Sequence, residues 1–394
     1  MFAQFGVTNF RSIREKAVLN MNASADTLHE HILIQANGKA KLLPAAAIYG
    51  ANSAGKTNVL IAIQTMQSMI TGSNAQLLKE KELPYDPYMF LSKPEEPTTF
   101  EIIFYYQDIK YAYSFSYNQS EILTEHLYHW PHGREALIFS RENGQFKFSE
   151  NIAEQNTLSG RTPDNRLYLV SSNEWNLKQT ALAYRWFAEK LLPYDEQNSP
   201  STTSEMLKGI KSNPLKERVI QELQLADLGI SSVGVSENPK NKDDLTVLMV
   251  HCVTTDGGVT EQYPMPLIRE SKGTQRFYSR IGPWITALEK GGVLLVDEIE
   301  ASMHPLLTKR LVEMIQNPNI NTKGAQLIFT THDAMLLDLS LLRRDQIWFV
   351  DKDEKSLSSE LFSLWDYSAR KDENIQKGYL QGRYGAIPFL GGDV

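Results

Sequence analysis

The sequence predicts an α/β protein of the P-loop kind, with mixed and parallel sheets and flanking helices, joined to an antiparallel β lobe and a helical insert. Three observations carry this expectation. Residues 44–50, "PAAAIYG", are a short apolar run that passes through a glycine-bearing loop into the apolar-periodic "NVLIAIQTMQSMI", which reads as strand, loop and helix. Further on, "GGVLLVDE", "AQLIFTTHD" and "QIWFVDKD" are short apolar strands separated by helical segments, the rhythm of a parallel sheet covered by helices. Residues 98–148 hold the aromatic and β-branched runs "TTFEIIFYY", "KYAYSFSY", "ALIFSREN" and "GQFKFSE", which predict an antiparallel meander with "QD" and "ENG" as turns.

The remaining elements follow in order. Residues 2–22 read as a strand pair, "FAQFGVTNF" and "KAVLNM", around the polar "RSIRE". From residue 171 to about 227 the pattern is helical, in "NLKQTALAYRWFAEKLL" and "LKERVIQELQLAD", with a polar, proline-containing break at "YDEQNSPSTT". The insert is too short for long coiled-coil arms and shows no sustained heptads. "DLTVLMVHCVT" returns to strand. In "RESKGTQRFYS" Ser271 is a good N-cap and Gly273 leaves the backbone open, just ahead of the helical "QRFYSRIGPWITAL". The chain is thus expected to divide into a first lobe (1–170) with the phosphate loop and antiparallel sheet, a helical insert (171–240) and a second lobe (241–394).

Composition sets limits. With 394 residues, 42% hydrophobic and 22% charged, the chain can bury a large core. A formal net charge of −7 excludes a wholly basic surface and leaves a local DNA-contacting patch open. The single cysteine, Cys252, permits no internal disulfide and no cysteine zinc site, which fits a reducing compartment. The start, "MFAQFGVTNFRSIREK", lacks the pattern of a secretory signal, and no window approaches the ~20 apolar residues of a spanning helix. A cytoplasmic protein without membrane contact is expected.

The chemistry is concentrated in three stretches. "GANSAGKT", residues 50–57, matches G-x-x-x-x-G-K-[ST] between a strand and a helix. Gly50 and Gly55 let backbone N–H groups wrap a phosphate, Lys56 adds a point charge, and Thr57 offers a hydroxyl to magnesium. Asn52, Ser53 and Ala54 within the loop, and Asn58 just beyond it, complete the candidate ATP-binding segment. "VLLVDE" delivers Asp297 at the end of a buried strand, where it would hold magnesium through water, and Glu298 beside it can polarise an attacking water. "LIFTTHD" ends a third strand at His332, whose imidazole can hydrogen-bond a phosphate oxygen or that water.

Together with "NFRSI" at residues 9–13, the segments "GANSAGKTN", "SKGTQR", "VLLVDEIEASMHP" and "IFTTHD" resemble the ABC-type ATPases of the RecF, SMC and OLD kind. More narrowly they are similar to the RloA and AriA ATPases of bacterial anti-phage defence, as is "GRYGAIPFL" at residues 382–390. The resemblance implies an ABC-type ATPase head that binds ATP and magnesium and closes face to face with a second copy around two nucleotides. Ser271 and the amides around Gly273 would receive the γ-phosphate of the neighbour's ATP. Glu298 would be the catalytic carboxylate, His332 the switch histidine, residues 300–302 the loop joining the two sites, and Arg11 a further phosphate ligand. The implied role is the sensor or scaffold subunit of a defence system, a homodimer or higher assembly controlling a separate effector such as a Toprim-like nuclease. The alternative is a RecF-like DNA-binding ATPase of repair or recombination.

Some features depart from the family or stand outside it. No residue matches the Q-loop glutamine, since Gln107 in "YYQDIKY" reads as a hairpin turn, and "SKGTQ" lacks the two glycines of the transporter signature. About sixty residues follow His332, too few for a Toprim domain, so any nuclease is expected on another chain. His126, His129 and His132 in "HLYHWPH" read as a surface loop rather than a zinc site, residues 351–354 as a turn, and Arg343, Arg344 and residues 208–218 as solvated charge.

Overall fold

The computed structural model describes residues 1–387 apart from 39, 73–81, 91–95, 193–199, 209–213, 227–228, 239–240, 255, 257, 368 and 371–372. The first strands are β1 (Phe2–Thr8), β2 (Ala17–Asn20), β3 (Ile34–Gln35), β4 (Lys41–Leu42) and β5 (Ala45–Gly50), followed by α1 (Lys56–Thr71). The meander comprises β6 (Thr98–Tyr106), β7 (Ile109–Tyr117), β8 (Ile122–Trp130), β9 (Ala136–Glu142) and β10 (Gln145–Phe148). Helices α2 (Ile152–Ser159), α3 (Tyr168–Glu174), α4 (Lys178–Glu189), α5 (Ser201–Leu207) and α6 (Pro214–Ala226) precede β11 (Ile230–Asn238), β12 (Asn241–Thr254) and β13 (Thr260–Pro266). The last third holds α7 (Lys272–Lys290), β14 (Val293–Val296), α8 (Pro305–Gln316), β15 (Gln326–Thr330), β16 (Ile347–Lys352), β17 (Ser359–Ser363) and α9 (Ile375–Leu380).

The central layer is a five-stranded sheet in the order β14-β15-β5-β16-β17, parallel except for β17 at one edge. Its parallel strands read as nearly continuous apolar runs because both faces are covered. On β5, Ala46 and Ile48 face one core with α1 and the antiparallel sheet, while Ala45, Ala47 and Tyr49 face another with α7, α8 and α9. The same alternation sends Leu295 and Val350 one way and Val296 and Phe349 the other. Beside this layer lies a seven-stranded antiparallel sheet, β10-β9-β8-β7-β6-β1-β2, and β11-β12-β13 form a third. The "QD" turn is as expected: Gln107 and Asp108 both have positive φ, the geometry of a tight two-residue hairpin.

Four expectations need correction. "HLYHW" is not a loop but the end of β8, paired with both β7 and β9 and set among the aromatic partners Tyr111, Tyr113 and Phe139. Strand alternation turns His126 and His129 to opposite faces, and among the described residues no cluster of metal-ligating side chains exists. Arg343 and Arg344 are not solvated. Arg343 is fully buried and forks onto Asp345 at 2.7 and 2.9 Å, and Arg344 forks onto Asp26 at 2.8 Å. Neither is free for a nucleic-acid phosphate. Residues 351–352 belong to β16 rather than to a turn, and strand β11 already occupies the end of the stretch expected to be helical. Much of the "YDEQNSPSTT" break and residues 209–213 lie outside the described residues. Among those described, no helix is long and apolar enough to cross a membrane.

Buried Gln326, the first residue of β15, ties the two large sheets together. Its amide donates to the carbonyls of Phe2 at 2.8 Å and Leu43 at 3.0 Å and accepts from the Phe2 N–H at 2.6 Å. Gln326→Leu strips these buried main-chain groups of that partner, and chemical denaturation should show a loss of about 3 kcal/mol with the fold retained.

Candidate functional site

In a parallel sheet all strands end on the same edge, and that edge gathers the candidate residues. Strand β5 ends at Gly50, where an added Cβ would lie 2.5 Å from the Val350 carbonyl. At the far end of the loop Gly55 has φ +107°, and a Cβ there would fall 2.5 Å from Ser12 Oγ and closer still to Ser359 Oγ. Only glycine fits the loop at both ends. Ser359 and Ser12 brace it from behind: Ser359 Oγ donates to the Ala54 carbonyl and lies in hydrogen-bond contact with Ser12 Oγ at 2.8 Å, and Asn58 Nδ2 donates to Ser12 Oγ at 2.7 Å. Ala54 is buried, whereas Asn52 and Ser53 are exposed on the outer side of the loop.

Lys56 is the electrostatic centre. Only 6% exposed, its ammonium donates to the carbonyls of Gly50 and Ala51, both at 3.0 Å, and to His332 Nδ1 at 3.5 Å. Among the described residues no carboxylate pairs with it directly. Loss of solvent lowers its pKa, opposed by the charges of Asp297, Glu298 and Glu300. Loss of solvent around the His332 ring, then the Lys56 ammonium, holds that imidazole below its ordinary 6.5. His332 is therefore neutral at pH 7 and able both to accept and to donate a hydrogen bond.

Opposite Lys56, the Thr57 hydroxyl donates to the Asp297 carboxylate at 3.1 and 3.2 Å. Thr330 Oγ1 donates to the same carboxylate and accepts from the Glu298 N–H at 2.8 Å. A hydroxyl and a carboxylate are the hard oxygen donors that suit magnesium, with phosphate and water to fill the remaining positions. Glu298 has φ 44°, and its exposed side chain stands on a backbone fixed from both sides. Arg280, buried in α7, donates to the carbonyls of Glu298 at 2.9 Å and of Ile299. Burial, then Arg276, pulls Arg280 down to about 10 against the pull of the three carboxylates, so it stays charged at neutral pH. Glu300 turns inward, accepting from the His332 N–H at 2.6 Å and the Thr331 hydroxyl at 2.8 Å.

Lys56, Thr57, Asp297, Glu298 and His332 thus share one edge. Arg11 sits beside it, its Nε on Asp86 at 2.8 Å and NH1 3.5 Å from Asn58 Oδ1. Ser271 and Gly273 stand elsewhere. Ser271 caps α7, its Oγ accepting from the Thr274 N–H at 3.1 Å, and an added Cβ on Gly273 would meet the Ser302 carbonyl at 3.4 Å. The capped start of α7 is exposed, beside a cleft lined by Lys272, Gln275, Arg276 and Ser302. Arg280 and Ser359 lie in no motif, and Ser12 in "NFRSI" and Thr330 in "IFTTHD" sit inside motif segments without a predicted role of their own. The paired threonines of "FTTHD" were the one visible signal, polar residues closing an apolar strand.

A glycine-framed loop, a buried lysine and a strand-end carboxylate on a doubly covered parallel sheet define a P-loop nucleotide site. The chain belongs to the family described as "AAA domain, putative AbiEii toxin, Type IV TA system", whose model matches residues 45–338. No curated protein matches it. Among solved structures it is similar to the SMC head bound to the C-winged helix domain of ScpA, at 14% identity and a TM-score of 0.46, over 92% of this chain and 97% of that one. It is also similar to the SMC head domain from Thermotoga maritima, at 11% identity and a TM-score of 0.44, over 92% and 98%.

A buried ammonium without a carboxylate partner costs stability that only a bound anion returns. Lys56→Met, which keeps the packing, should raise the stability of the nucleotide-free protein by about 1 kcal/mol and abolish stabilisation by added ATP, both read by thermal melting.

Proposed function

We propose that the chain binds ATP with magnesium and hydrolyses it, and that it does so as an assembly of at least two copies. Lys56 and the N–H groups of the loop take the phosphates, and Thr57 and Asp297 hold the metal, which neutralises developing charge on the phosphates. Glu298 orients and deprotonates the attacking water, and His332, neutral and poised over Lys56, hydrogen-bonds the γ-phosphate. The observation that carries this reading is the buried Lys56 ammonium, satisfied among the described residues by two carbonyls and an imidazole and facing the Thr57–Asp297 pair.

The same reading needs a second chain. The N-terminus of α7 carries exposed amides and a partial positive charge yet is turned toward the Ser302 end of the loop, so Ser271 and Gly273 would serve the triphosphate bound by a partner. In this arrangement residues 298–302 and Arg280 link the water-activating carboxylate of one site to the phosphate-receiving corner of the other. The biological role we favour is the sensor or scaffold of an anti-phage system, with ATP-driven association holding or releasing a separate effector, probed most directly as a Toprim-like nuclease. The motif resemblance supports it, and the family description, which names a toxin, sits with it. A RecF-like DNA-binding role has lost Arg343 and Arg344 as phosphate ligands.

Glu298→Gln should leave ATP affinity within about twofold while reducing turnover by at least about a hundredfold, and should accumulate an ATP-bound dimer in size-exclusion chromatography. Rapid turnover by that variant would assign the base elsewhere.

A further inference from the structure

Two buried polar atoms behind the site have no hydrogen-bond partner among the described residues: the hydroxyl of Tyr49, one residue before Gly50, and Oδ2 of Asp333, one residue after His332. Tyr49 is wholly buried on β5, on the face away from α1. Buried polar groups are nearly always paired, so two orphans flanking one site call for a physical reason. Burial, then the charges of Asp333 and Glu300, push the Tyr49 phenol well above its ordinary range, which keeps it a proton donor.

The other polar atoms nearby are engaged. Asp333 Oδ1 accepts from the Met335 N–H at 2.8 Å, and the Asp333 N–H donates to Thr331 Oγ1 at 3.0 Å. The Glu300 oxygens accept from Thr331 and His332. What remains is one open acceptor on the turn that carries His332 and one open donor on the strand that leads into the phosphate loop.

We infer that Tyr49 and Asp333 form a positioning pair for His332: the Tyr49 hydroxyl donates to Asp333 Oδ2 in the nucleotide-bound arrangement, drawing the 331–333 turn toward the phosphates. The inference rests on the nucleotide reading of the site proposed above. A bond made only in the bound arrangement shifts the equilibrium toward it, because the ligand then binds the two arrangements unequally. Tyr49 also connects to a part of the sequence that the nucleotide chemistry leaves unused. Its ring stands edge-on to Tyr379 at 5.8 Å, and the Tyr379 O–H donates to the Ala386 carbonyl at 3.2 Å. Residues 334–336 pack against α9. The described part of "GRYGAIPFL" therefore shares one buried cluster with the end of β5 and the His332 turn, and a shift of that turn is transmitted to it.

Tyr49→Phe keeps the ring and its packing and removes only the hydroxyl, and Asp333→Ser keeps a cap for the following turn while withdrawing Oδ2. Tyr49→Phe should leave the nucleotide-free melting temperature unchanged or raised, lower kcat for ATP about tenfold and weaken ATP binding by no more than about the same factor. Added to Asp333→Ser it should cost nothing more, the signature of a coupled pair. Wild-type kcat in Tyr49→Phe, losses that simply add, or a lower melting temperature without nucleotide would each overturn the inference, the last by marking a hydroxyl with a static structural partner. Should the wild-type protein neither bind nor hydrolyse ATP, the function proposed above falls and this inference with it. Wild-type turnover with an indifferent Tyr49→Phe sinks the inference alone.

Discussion

A lysine ammonium held beneath the surface by two backbone carbonyls is the constraint from which the rest of this molecule follows. Such a group is stable only where the chain is forced to put it there, and the force is the parallel register of β5 between β15 and β16. Strands buried on both faces cannot slip without moving an entire apolar set into the wrong core. Because β5 is pinned, Gly50 meets the Val350 carbonyl too closely for any side chain. The loop that follows then wraps back so tightly that Lys56 lands over the strand ends.

Around that charge the polar side chains form a layered support. Thr330 holds Asp297 by its side chain and Glu298 by its backbone, and Glu300 fixes the N–H of His332. Arg280 reaches from α7 to the carbonyls of the same loop, so the helix whose start bears Ser271 is mechanically joined to the carboxylate beside the phosphate loop. The site is rigid where charge must be placed and exposed where Glu298, His332 and the start of α7 face outward. This division suits the shared centre proposed above.

The parts of this arrangement that were legible in the sequence are those encoded locally. "GANSAGKT", "VLLVDE" and "LIFTTHD" each combine an apolar run with a polar terminus, and a strand buried on both faces needs no partner to be recognised as one. Ser271 as an N-cap was readable for the same reason. Information held between distant segments was not legible. "HLYHW" carries too much polarity to stand out as a strand until β7 and β9 lie on either side of it. Arg343 and Arg344 look solvated until the Leu28 carbonyl and the Asp26 carboxylate are brought to them across the fold. Arg280 is one more charge on an amphipathic helix, and Tyr49 one more apolar ring, until the loops they meet are in place.

The most direct test of the account is complementation between two crippled chains. Lys56→Met removes the phosphate lysine but leaves the start of α7 intact, and Ser271→Arg blocks that start but leaves the phosphate loop intact. Each alone should hydrolyse ATP at background rates, and the mixture should regain turnover because a mixed pair rebuilds one whole site. A mixture as inactive as its components, or Ser271→Arg protein working at the wild-type rate by itself, would contradict a centre shared between two copies.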